Sequence, residues 1–284
     1  APESAGEHRA GFGQTLEAAT VHWDSYWTSG GAIDLSGSQD KRWKELERRI
    51  VLSQYLLAVN EAGSLPPQES GLLNNSGWYG KFHLEMHWWH GAHYQLWGRW
   101  ELFDRSLGWY RDILPAARKI AKRQGYRGAR WPKMVGPDGR FGPSKIGPWL
   151  IWQQPHPLFY AEQNYRVDPS KRILEKWKEV VFETAEFMAS YAHPNQKTGK
   201  YDLGPWLINA AENNSHTKHE TVNPAFEHAY WRYGLRIACQ WRERMGIPEN
   251  REWKKVLDNL APLPVENGVY VLYEGVPNMW AEYN

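Results

Sequence analysis

Cysteine is almost absent: Cys239 is the only one in 284 residues. No internal disulfide can form, and a lone thiol within a helical pattern reads as a small buried apolar residue. No apolar run approaches the roughly 20 residues of a membrane-spanning helix. The start, Ala1-Pro2-Glu3-Ser4-Ala5-Gly6, lacks a basic segment, an apolar centre and an initiator Met, so no signal peptide is visible and the compartment is not readable. Neither sign of charge dominates: 34 Lys and Arg against 32 Asp and Glu leave +2, which offers no concentrated basic face for nucleic acid. Strand patterns are scarce, with Val269-Tyr270-Val271-Leu272 the best short one.

Tryptophan is abundant instead, with 18 residues, several packed into a histidine-rich stretch from Gly77 to Trp100. Indoles mixed with hydrogen-bonding groups suit sugars, whose C–H faces stack and whose hydroxyls bind. Tryptophan is also an ordinary core residue, so position matters more than number. Trp88, Trp89, Trp97 and Trp100 fall on different helix faces, which places some in the core and one or two, Trp88 among them, at a pocket. His83, His87, His90 and His93 lie close together. No carboxylate or thiol completes a metal set with them, so they read as hydrogen-bonding groups, His83 toward sugar, and no metal or cofactor is expected.

Helical periodicity covers most of the chain. Helices are expected at about 13–27, with Phe12, Leu16, Ala19, Trp23 and Trp27 on one face, and from an Asp40 cap through Val59. Others are expected at 87–103, at 107–123 with Gly125 ending it, and at 157–166. The last three are expected from an Asp168-Pro169 start to Tyr191, at 224–245 and at 252–260. First members of the pairs recur about every 70 residues, and long loops run over 128–152 and 192–222. Stacked helical hairpins closing toward a toroid are the implied all-α architecture, with the loops gathered at one mouth.

The second loop carries Glu212, a carboxylate between Ala210-Ala211 and Asn213-Asn214 just after an apolar run. A carboxyl among apolar walls keeps its proton near neutrality and can serve as a general acid. A solvated loop glutamate is the plainer alternative. Arg130, Lys133 and Lys145 form a basic loop, either solvated or binding an acidic sugar.

Several ordered motifs then resemble the catalytic barrel of glycoside hydrolase family 65, the family of maltose, trehalose and kojibiose phosphorylases and related hydrolases. His22-Trp23-Asp24-Ser25-Tyr26-Trp27, Arg48 to Leu57 and Gly71-Leu72-Leu73 come first, and Gly80 to His87 is similar to "GHxFWDTE". The sharpest match is Leu114 to Ala121 with Gly125 to Pro132, against "LPxARxxA…GYxGAxYPW". His156 to Ala161, Ala210 to Asn214 and Val222 to Phe226 are similar to "DIAYA", "GPDEYH" and "VDNNAY". The resemblance implies an α/α toroid of the six-hairpin glycosidase kind, of which about four hairpins fall within 1–284, a partial catalytic barrel without the family's N-terminal β-sandwich and C-terminal hairpins. It implies Glu212 as general acid, Glu85 in the place of the sugar-binding Asp, and Trp131 with Trp152, Gln153 and Gln154 facing substrate. Leu84 for Trp, Glu85 for Asp, His87 for Glu and Ala211 for Asp depart from the family pattern, so its disaccharide specificities do not carry over.

The expected activity is inverting hydrolysis of an α-linked glucoside or related oligosaccharide, with Glu212 as acid and a base from outside this chain. A disaccharide phosphorylase is the alternative. Beyond these stand a polysaccharide lyase using Tyr79, His83 and Arg130, and a non-catalytic sugar-binding barrel. A second chain completing the barrel and self-association are both compatible with the sequence.

Overall fold

A computed structural model describes residues 10–68, 81–276 and 279. Two helices open the chain, α1 (Phe12–Thr28) and α2 (Trp43–Glu61). A broken run follows: α3 (Leu84–Gly91), α4 (His93–Leu96), α5 (Trp100–Leu107), α6 (Trp109–Asp112) and α7 (Leu114–Arg123). Then come α8 (His156–Val167), α9 (Lys171–Tyr191), α10 (Ala225–Arg244) and α11 (Arg251–Asn259). The chain is all-α, with its helices arranged as in an α/α toroid.

The longest helices carry the core. On α9, Ile173, Trp177, Val180, Thr184 and Phe187 are buried at helical spacing, as expected. Against them α10 buries Trp231, Leu235, Ala238 and Trp241. At Gly234 a Cβ would meet the side-chain tips Met188 Cε at 2.8 Å and Leu158 Cδ1 at 2.9 Å, so α10 packs closely on α8 and α9 there. Trp131, Trp177, Trp231 and Trp241 are fully buried. Their indole N–H groups donate to Thr184 Oγ1, Asn164 Oδ1, the Met188 carbonyl and the Leu174 carbonyl. At about 25 cal/mol per Å², each contributes roughly 4–6 kcal/mol before entropy. Part of the tryptophan signal is therefore core.

Boundaries differ from the sequence reading at identifiable places. The single helix expected over 87–103 is three: the chain breaks at Ala92, and again at Gly98, which adopts φ 67° and turns the chain against Gly30. The helix over 107–123 is broken at Ile113, which caps α7 with Pro115 in its first turn. Asp40 does not cap α2; its carboxylate accepts from the Arg42 backbone and guanidinium, and Arg42 stands at the cap. Ser170, two residues beyond Asp168, caps α9 by accepting from Ile173 N–H, while Asp168 ends α8 and pairs with Arg172.

The first hairpin is the largest correction. Phe12 is 83% exposed, and Leu16 is exposed with it; within α1 only Tyr26 is buried. Of the amphipathic face only Trp23 packs against the core, beside the buried Tyr26. A polar peg holds the pair instead. Arg99 donates to the Tyr26 and Ser29 carbonyls (2.9 and 3.1 Å) and to Gln54 Oε1 (3.1 Å), and lies 4.2 Å from the Tyr26 ring.

Three two-residue strand pairs tie loops together. Phe82–His83 (β1) pairs antiparallel with Met134–Val135 (β2), with His83 opposite Met134, and Leu84 N–H donates to the Lys133 carbonyl at 2.7 Å. His193–Pro194 (β3) pairs with Tyr201–Asp202 (β4). Val265–Glu266 (β5) pairs with Val269–Tyr270 (β6) through Asn267-Gly268, both at positive φ, so the expected strand at 269–272 is real but shorter. Ile208 N–H donates to the Trp149 carbonyl at 3.0 Å, which brings the second long loop beside the strip 149–154.

Candidate active site

β1 and β2 set the site. Their register places His83 and Glu85 next to Lys133, and the 149–208 contact brings Glu212 over from the opposite loop. Lys133 Nζ stands 3.2 Å from Glu85 Oε1 and donates to Glu212 Oε1. His83 Nδ1 lies 3.3 Å from the same Glu85 oxygen. Burial works against the Lys133 charge, but Glu85 and Glu212 outweigh it and hold its pKa above the ordinary value.

These groups line a cup of about 380 Å³, walled by Met86, Trp89, Trp152, Ala210 and Phe226. Aromatic faces and a few polar groups share one concavity, the composition of a small-molecule site. Glu85 Oε2 and Trp152 Nε1 are sealed from solvent and find no hydrogen-bond partner among the described residues. An acceptor and a donor are thus left over in the wall of the cup, each at a cost in stability.

The loop holds Glu212 under strain. Its φ of 57° lies in the left-handed region, a conformation costing a β-carbon-bearing residue roughly 1–3 kcal/mol. An asparagine cage sustains it. Glu212 N–H donates to the Asn209 carbonyl (2.9 Å), Asn209 N–H to Asn214 Oδ1 (3.0 Å), and Asn209 Nδ2 to Asn213 Oδ1 (3.0 Å). The buried Asn214 donates to the Leu207 carbonyl (3.2 Å) and Thr221 Oγ1 (2.5 Å). The sequence reading expected Glu212 among apolar walls. Its side chain is instead 31% exposed and faces an ammonium, because Lys133 comes from a loop 79 positions earlier.

Behind Ala210, Glu227 is buried in the first turn of α10, and burial pushes its carboxyl up to about 8 against N–H groups of Glu227 and Ala210. His156, held by burial down at about 3, lies 3.3 Å from the Glu85 carbonyl through Nε2 and 2.8 Å from Tyr230 Oη through Nδ1. With Nε2–H donating, Nδ1 accepts from the tyrosine, and the neutral ring anchors the start of α3.

His83, Glu85, Lys133, Trp152 and Glu212 therefore come together. The other expected substrate contacts do not. Trp131 is fully buried against Thr184. Gln153 and Gln154 are fully buried too, with amides bonded to the Trp131, Leu150 and Ala129 carbonyls, because a buried loop needs side chains to pair its backbone. Trp88 lines a neighbouring apolar cleft with Phe159. Arg130 points away from the cup into another cavity. The lyase grouping is not assembled, since His83 and Arg130 line different cavities and Tyr79 lies outside the described residues, as do Gly71-Leu72-Leu73 and Gly77 to Gly80. Phe226 and Ala210 complete the wall, and no periodicity singled them out for that role. His87 is bonded on both nitrogens, to Tyr110 Oη (3.0 Å) and Ser106 Oγ (3.1 Å).

No protein-family profile matches the chain. It is 22% identical over 295 aligned positions to a 1,2-alpha-glucosylglycerol phosphorylase of Bacillus selenitireducens, covering 95% of this chain and 38% of that protein. The resemblance to glycoside hydrolase family 65 holds. A solved structure from the human microbiome, described as a kojibiose phosphorylase, superposes with a TM-score of 0.71 at 11% identity, over 93% of this chain and 36% of that one. The fold is thus shared with that phosphorylase, and this chain spans well under half the length of either protein.

Proposed function

We propose that the chain carries the acid-bearing part of a glycoside phosphorylase site. Glu212 passes a proton to the oxygen joining two sugars, and inorganic phosphate takes the glucosyl group. The carrying observation is the Lys133 ammonium set between Glu85 and Glu212 in an aromatic cup. Hydrolysis stood first in the sequence reading. The two similar proteins are described as phosphorylases, which favours phosphate over water as the attacking group.

The Lys133 ammonium occupies the space between Glu85 and Glu212, so these two carboxylates do not hold a water between them as an acid and base pair, and Glu85 keeps a sugar-binding role. Phosphate attacks as an anion and needs no protein base. Glu85 then binds sugar hydroxyls through its unpaired oxygen, and Trp89 and Trp152 stack on the ring. An ion-paired Glu212 is the form that takes a proton from an acceptor hydroxyl when the reaction runs toward synthesis. In the cleavage direction it first gains a proton, which passes to the leaving oxygen as the glycosidic C–O bond breaks and the bond to phosphate forms.

The reading gives this chain part of a barrel, with the remaining hairpins supplied by further polypeptide. The cleft lined by Trp88, Trp89, Phe159, Phe226 and Tyr233 is almost wholly apolar, with Trp89 60% and Phe226 51% exposed, a surface suited to packing against other helices. The test is product analysis on α-linked glucobioses with and without phosphate. Phosphate-dependent release of a glucose phosphate, lost in Glu212→Gln, is expected. Release of free glucose alone, independent of phosphate, would return the assignment to hydrolysis.

A further inference from the structure

Arg130 is as deeply buried as any Lys, Arg, Asp or Glu among the described residues, 1% exposed, and no carboxylate among them pairs with it. Its guanidinium donates to Gln154 Oε1 (3.3 Å) and the Leu150 carbonyl, and lies 5.4 Å from the Phe187 ring. Burial pulls its pKa down only to about 10, so it is charged at neutral pH. A desolvated cation held by neutral acceptors alone is costly, and arginine is seldom this buried without an anion.

Beside it lies a cavity of about 540 Å³ that shares no lining residue with the Glu212 cup. Tyr126, Tyr191, Trp149 and Trp206 wall it. Trp206 supplies an independent observation. It is 52% exposed and held at φ 61°, a strained conformation for so bulky a residue, with its ring 5.5 Å from that of Trp149. Strain and exposure together place an aromatic platform at the rim. Lys218 Nζ stands 6.0 Å from the Trp206 ring, and no acidic side chain lines the cavity among the described residues.

We infer that this cavity is a second sugar-binding site, selective for a sugar bearing an anionic group. The pyranose stacks on Trp206 and Trp149, and a carboxylate or phosphate faces Arg130. The strip 149–154 joins the two sites, with Trp149 lining this cavity and Trp152 lining the cup. The inference is independent of turnover at Glu212, because it concerns binding in a separate cavity.

Calorimetric titration of the full chain with glucuronate, glucose 6-phosphate and neutral glucose tests it. Both anionic sugars, or one of them, are expected to bind at least about tenfold tighter than glucose, and whichever does so names the source of the negative charge. Trp206→Gly suits the left-handed backbone and removes the platform, and is expected to weaken that binding about tenfold or more. Arg130→Met is expected to erase the preference over glucose; if this variant does not fold, Trp206→Gly decides. Glu212→Gln is expected to bind the anionic sugar as the wild type does. Equal affinity for glucose, unchanged binding in Trp206→Gly, or loss of binding in Glu212→Gln would each overturn the assignment.

Discussion

Taking Lys133 away leaves Glu85 and Glu212 at one cup with no cation between them. Removing one partner of a buried pair costs roughly 3–5 kcal/mol, and the partial exposure of Glu212 discounts that to about 2–3 kcal/mol for Lys133→Met at pH 7. Urea unfolding of the variant and the wild type at pH 7 would show it. Glu212→Gln keeps the shape and gives up the proton. Its turnover should fall about 10²–10⁴-fold while sugar affinity changes little, and unchanged turnover would remove Glu212 from the chemistry. The sequence pointed to Glu212, Glu85 and Lys133 separately. The pairing of β1 with β2 and the contact of Ile208 with Trp149 together showed that one ammonium joins them, because a contact across 79 positions leaves no local pattern.

Among the elements, the loop after α7 depends on α9. Ala129 N–H donates to the Glu183 carbonyl at 2.9 Å, and Gly128 at φ 70° packs so close that a Cβ would stand 2.2 Å from that carbonyl oxygen and 2.4 Å from Phe187 N. Backbone cannot yield there as a side-chain tip can. Gly128→Ala should cost about 2–5 kcal/mol from overpacking and a left-handed β-carbon together, and should displace Lys133 from Glu212. Chemical denaturation measures the first effect and sugar affinity the second. Element types were legible where periodicity was long and continuous, as on α9 and α10. The breaks at Gly98 and Ile113 were not, since a glycine inside a helical pattern is tolerated as often as it turns the chain.

For the whole molecule, buried neutral groups set the pH range of stability. His156 and His228, held by burial near 3 and 4, fall below their unfolded values, so their contribution is present above about pH 6.5 and lost as pH drops toward those values. Glu227, raised to about 8, works in the opposite sense. Its contribution is full below the unfolded carboxyl range and is lost as pH rises through about 8. Glu227→Gln does not titrate, so its stability relative to the wild type should increase steadily between about pH 4.5 and 8. A relative stability independent of pH in paired thermal unfolding curves would show that Glu227 is not buried as described.

By itself the sequence determined the class of the molecule: paired helices read from a 3.6-residue period, long loops between them, and an acid-bearing motif in a tryptophan-rich chain. Periodicity and motif order are local properties, written residue by residue. What faces what was decided by tertiary structure. Packing turned Trp131, Gln153 and Gln154 inward as staples, sent Arg130 to its own aromatic cavity, and left Phe12 and Leu16 of α1 exposed. A side chain's surroundings come from strands and loops distant in sequence, and burial of one indole or the pairing of one ammonium exists only once those segments meet.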